Sequence, residues 1–161
     1  MATLQAAGLM RRTWAHLFPP LDWAERPRSY AEDLAELRSI AHEGLAREED
    51  VSRLLLGVRD DERLCELAPE AGELVSRYLG MRRELSRIDA YSLRPYAGAL
   101  SEVFDYIAQL LYYAIDLLAE SWRSGRLRAQ QLRVGPIGPQ AERLELIVAE
   151  IDLLASALED D

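Results

Sequence analysis

Three features of this sequence predict an all-α fold, a helical bundle of about five to six helices around a long central one. Residues 96–123 carry apolar side chains at helical spacing with almost no polar interruption on one side. Other stretches repeat the pattern, the cleanest being Ala71, Leu74, Val75, Tyr78, Met81, Leu85 and Ile88. The breaks between these stripes hold proline or glycine, as in Phe18-Pro19-Pro20-Leu21 and Gly135-Pro136-Ile137-Gly138-Pro139, which cannot continue a helix.

The central helix sets the demands. With a turn of about 100° per residue, Leu100, Val103, Phe104, Ile107, Leu110, Leu111, Ala114 and Leu118 share one face. Glu102, Asp105, Gln109, Tyr112, Asp116 and Glu120 take the other, and Tyr106 and Tyr113 stand seven apart on a flank. The apolar arc approaches half the circumference, wider than the roughly 100° stripe of a surface helix. It therefore asks for several covering neighbours, or neighbours and a partner chain. Pro95 suits a first turn, and Gly125 a stop. Arg123, Arg126 and Arg128 complement the negative end of the helix dipole.

In chain order, residues 2–17 form a first helix with Ala7, Met10, Trp14 and Leu17 on one face, and Trp23 lies in the linker after it. Ser29-Tyr30-Ala31-Glu32 fits a capping box, because the Ser29 hydroxyl can accept from the Glu32 amide while the Glu32 carboxylate reaches back. The helix it opens runs to about Arg47 with Tyr30, Leu34, Leu37, Ala41 and Leu45 inward. The acids Glu48-Glu49-Asp50 mark the start of a third, with Val51, Leu55 and Val58 on one face. Pro69 restarts the chain into a fourth. The last helix, about Pro139–Leu158, buries Leu144, Ile147, Ile151, Leu154 and Leu158, and carries Leu146 and Leu153 on a second line.

Composition bounds the function. A chain of 161 residues reads as one domain over 1–161, able to bury a core without staples, with a frayed acidic end at about 159–161. A single cysteine, Cys65, permits no internal disulfide and points to the cytoplasm. No apolar run reaches the roughly 18 residues of a membrane span. The formal net charge of −9 opposes nucleic acid or an anionic membrane as a partner of the whole surface. That charge is uneven. Residues 31–70 hold 12 acids and 5 arginines, whereas residues 71–100 hold 3 acids and 5 arginines. Arg82, Arg83, Arg87 and Arg94, with Arg123, Arg126 and Arg128, form an anion-binding patch. Its ligand would be acidic protein, or nucleic acid if the chain is a small subunit of a larger complex, with Tyr91 and Tyr96 near enough to stack a base.

Motifs for chemistry are lacking. Neither His16 nor His42 follows a glutamate by three residues, as a ferritin-like metal site requires, and there is no His-Glu-x-x-His or paired cysteine for zinc. No metal or cofactor is expected. The glycine-proline turn at 135–139 lacks the lysine and hydroxyl of a phosphate loop. An enzyme would have to rest on exposed carboxylates or on Arg11 and His16, and no catalytic residue is assigned. The expectation is a protein-binding adaptor, accessory or regulatory bundle, oligomeric, using Tyr106, Tyr113, Leu146 and Leu153 as its interface. The alternative is a small-molecule regulator walled by Trp14, Trp23, Tyr78 and Trp122.

Overall fold

The computed structural model describes residues 28–60, 64–124 and 138–161. Within them the chain is all-helical: α1 (Tyr30–Asp60), α2 (Leu64–Leu85), a 3-10 turn (Tyr91–Leu93), α3 (Arg94–Ser124) and α4 (Gly138–Glu159). The expected helix over 2–17, with Trp14 and His16, and the linker residue Trp23 lie outside the described residues.

The capping box opens α1 as its spacing predicts. The Glu32 amide donates to Ser29 Oγ at 3.2 Å, and the Ser29 amide donates to Glu32 Oε2 at 3.0 Å. The helix then passes through Glu48-Glu49-Asp50 without a break, so the expected second start there is corrected. Nothing in that triplet stops a helix, and its charges find partners one turn away. Arg53 reaches Glu49 and Asp50 at 3.6 and 3.8 Å, Arg47 reaches Asp50 at 3.5 Å, and Ser52 Oγ donates to Glu48 at 2.6 Å. Pro69 likewise lies inside α2 and does not begin it. It forfeits one backbone bond, to the Cys65 carbonyl, with little more than a turn of helix ahead of it to disturb.

The four helices share one core. Glu43 on α1 meets Arg77 on α2, while Asp33, ten residues back, meets Asp89, twelve residues on. The two helices are therefore antiparallel. The central helix α3 packs most extensively on α2 and also touches α1 and α4, and α1 pairs with α4. Three neighbours account for the broad apolar arc of α3. Leu100, Val103, Phe104, Ile107, Leu111 and Ala114 are buried. The whole stripe predicted for α2 is buried too, including Ile88 just past its end. Two inward assignments fail, because Tyr30 and Leu158 sit at helix ends beyond the reach of the core and are exposed. Val148 and Ala155 complete the inner face of α4.

Polar contacts fix how the elements meet. Asp33, fully buried in the first turn of α1, accepts the amides of Asp89 and Ala90 at 2.9 and 2.8 Å through one carboxylate oxygen. Its other oxygen lies 3.1 Å from Arg28 Nε. It thus caps, from another helix, the backbone that leads into α3. On the opposite seam, Asp152 of α4 takes Arg38 Nε at 2.9 Å and His42 Nε2 at 2.8 Å from α1.

Candidate functional site

Two surfaces stand out among the described residues. The first is the pair of seven-spaced apolar lines. On α4, Leu146 and Leu153 are 68% and 71% exposed. Ala149 and Ser156 are exposed with them, in steps of three and four residues, which is the spacing of a helix–helix seam. The acids Glu142, Glu145 and Glu150 are exposed beside that seam. On α3, Tyr113 is 47% exposed and its neighbour Tyr112 is exposed as well, whereas Tyr106 is half-buried. The far-side residues Glu102, Gln109 and Asp116 are exposed as expected, and Glu102 is tied to Arg143 of α4 at 2.8 Å.

The second surface is the arginine cluster where α2 ends and α3 begins. Arg82, Arg83, Arg87 and Arg94 are all exposed, but they are not equivalent. Arg82 is held by Asp105 of α3 at 2.6 Å. Arg82 and Arg94 line one open cleft of about 460 Å³, together with Leu85, Ser86, Ile88, Asp89, Ala97, Gly98 and Ser101. A smaller hollow of about 400 Å³ beside it is lined by Leu79, Arg82, Arg83 and Ser86. Arg87 lines neither. Arg126 and Arg128 lie outside the described residues, and of Arg123 only its place in the last turn of α3 is described. Tyr91, on the 3-10 turn, is 85% exposed, whereas Tyr96 packs partly against the core.

The sequence pointed to the arginines through their clustering. It did not point to Ser86, Gly98 or Ser101. Nothing local marks those three, because they share a cleft only through the antiparallel return of α3 along α2.

Tyr78 and His42 are tied into contacts between helices. Tyr78, expected as a wall of a small-molecule pocket, is fully buried in the core. Its ring meets Phe104 edge-on at 5.3 Å between centroids, and its hydroxyl donates to the Gly44 carbonyl at 2.9 Å. Burial, reinforced by Glu48 and Asp50, pushes its phenol above the ordinary range. His42 is committed to Asp152, and its hydrogen bond, with that of Arg38, holds the Asp152 carboxyl below its usual value. Trp122 lies in α3. Among the described residues, no three His, Cys, Asp or Glu side chains are grouped to hold a metal ion, and no helix is long and apolar enough to cross a membrane. Comparison with protein-family models, with curated proteins and with solved structures finds nothing that matches this chain.

Proposed function

We propose that the protein works by docking other protein on its outer helical faces, as an oligomeric adaptor, accessory or regulatory bundle. The observation that carries this reading is the exposure of Leu146 and Leu153 on α4, with Ala149 between them. Leaving two leucines in water on one line of one helix forgoes burial of about 1.5–3 kcal/mol each. Small Ala149 lets a second helix approach closely between them, in the helix-on-groove mode of recognition. The flanking acids Glu142, Glu145 and Glu150 define the occupant. It is a helix with an apolar seam and basic flanks, because a like-facing copy of α4 would bring acid against acid. Tyr113, with Tyr106 beside it, offers a second contact line on the neighbouring helix. A lone cysteine, which permits no internal disulfide, supports a reducing compartment such as the cytoplasm as the setting.

The test is native mass spectrometry on the protein purified gently from its host, beside the Leu146→Glu/Leu153→Glu variant. The wild type should carry added protein mass, and the variant should lose it. The variant's circular dichroism and stability should stay within about 0.5 kcal/mol of wild type, since neither leucine is in the core. A wild type that is monomeric and bare, or a variant that keeps its partner, would overturn the proposal. Charged replacements at Tyr106 and Tyr113 test the second line in the same way.

A further inference from the structure

We infer that the cleft between the end of α2 and the start of α3 binds a small phosphorylated organic molecule, a phosphomonoester on an apolar body. Arg82 and Arg94 come from different helices and line this one cleft. Arg82 spends a nitrogen on Asp105 at 2.6 Å, which holds its planar fork in place with other N–H groups still to offer. Arg94 has no carboxylate within ion-pairing distance among the described residues. Ser101 adds a hydroxyl from α3, while the Ser86 hydroxyl, just past the end of α2, already donates to the Arg83 carbonyl at 2.5 Å and is left to accept. Donors on two helices match the three terminal oxygens of a phosphate better than the two of a carboxylate.

The lining also has an apolar part. Leu85, Ile88 and Ala97 are core residues whose outer edges line the cleft, so the ligand's body meets apolar surface there. Gly98 opens directly onto free space, because a Cβ built there meets nothing within 4 Å. Charge limits the ligand's size. Asp89 lines the cleft and Asp105 pairs with Arg82, and the chain as a whole carries −9, so a polyanion is repelled while a single phosphate head is accommodated. The site is independent of the docking surface on α4.

The experiment is calorimetric titration and thermal unfolding of the full chain with phenyl phosphate, inorganic phosphate, benzoate and phenol. Phenyl phosphate should bind and raise Tm, and the other three should bind more weakly. Arg94→Gln should weaken phenyl phosphate binding about tenfold by removing a charge-assisted hydrogen bond. Gly98→Leu should abolish binding by filling the cleft. The same change should raise the Tm of the free protein by about 3 °C, because leucine favours an α-helix over glycine. That rise separates loss of the site from loss of the fold. The proposal is overturned if phenyl phosphate does not bind at millimolar concentration, or if Gly98→Leu and Arg94→Gln leave its affinity unchanged. Inorganic phosphate binding equally well would remove the apolar body, and benzoate binding equally well would remove the phosphate head. A phosphotyrosine peptide binding far more tightly than phenyl phosphate would assign the site to a phosphoprotein instead.

Discussion

Gly44 of α1 and Phe104 of α3 are in direct contact, and the contact exists because residue 44 has no Cβ. One built there would fall inside the edge of the Phe104 ring. Phe104 is fully buried and edge-packed on Tyr78, so the ring has no room to retreat. The Gly44 carbonyl also accepts the Tyr78 hydroxyl, which makes residue 44 the point where α1, α2 and α3 meet.

Gly44→Ala should therefore destabilise the fold although alanine is the better helix former. Overpacking costs about 1–3 kcal/mol, against a helix-propensity gain of about 1 kcal/mol. Gly98→Ala, where the added methyl meets open space, should stabilise by about 0.5–1 kcal/mol. Urea unfolding of the two variants should show opposite signs. Equal stabilities would mean that the Phe104 ring yields to a methyl group at residue 44.

Tyr78→Phe separates the hydroxyl from the ring. The ring contact with Phe104 remains and the bond to the Gly44 carbonyl goes, for a loss of about 1 kcal/mol. Tyr78→Ala removes both, and should cost about 3–5 kcal/mol. If the phenylalanine variant unfolds as readily as the alanine variant, the hydroxyl carries more than one bond's share.

Asp33→Ala should cost about 2–3 kcal/mol, because the amides of Asp89 and Ala90 lose their acceptor in a partly buried place. Asp33→Asn should fall between it and wild type, since the amide oxygen can still accept. Amide hydrogen exchange at residues 89 and 90 should quicken in the alanine variant ahead of exchange in the centre of α3. Unchanged protection there would show that the turn holds itself.

Acid should weaken the α1–α4 seam through Asp152. Its carboxyl is held below the usual value by His42 first, with Arg38 beside it, so the unfolded chain takes up the proton more readily than the folded one. The contribution is present above the carboxyl's ordinary value of about 4 and is lost as pH falls through the lower folded value. The stability gap between wild type and Asp152→Asn should shrink as the pH falls through about 4 and below. A gap independent of pH would mean that the pair contributes nothing through charge.

Much of this structure was legible because it is local. The Ser29/Glu32 capping box, the α2 stripe and the inner face of α3 each follow from residues within a turn or two of one another, and spacing alone identifies them. Local signals also misled. Glu48-Glu49-Asp50 resembles a helix start because acids favour that end, yet arginines and a serine one turn away satisfy them just as well in mid-helix. Pro69 resembles a start because proline belongs in first turns, and α2 begins five residues before it.

The sequence by itself determined that this chain forms helices, which faces of those helices are apolar, and that arginines gather near the start of the central one. Periodicity and capping are properties of a single stretch, and they carry that much. Tertiary structure alone decided which apolar lines stay outside. Tyr106 and Tyr113 share a line by spacing, yet the first is half-buried and the second open, because neighbours cover the helix unevenly along its length. It alone made Asp33 the cap of another helix, gave Arg82 its partner Asp105, and set Gly98, Ser86 and Ser101 around Arg94. Those relationships join residues on different helices, and only packing brings them within reach.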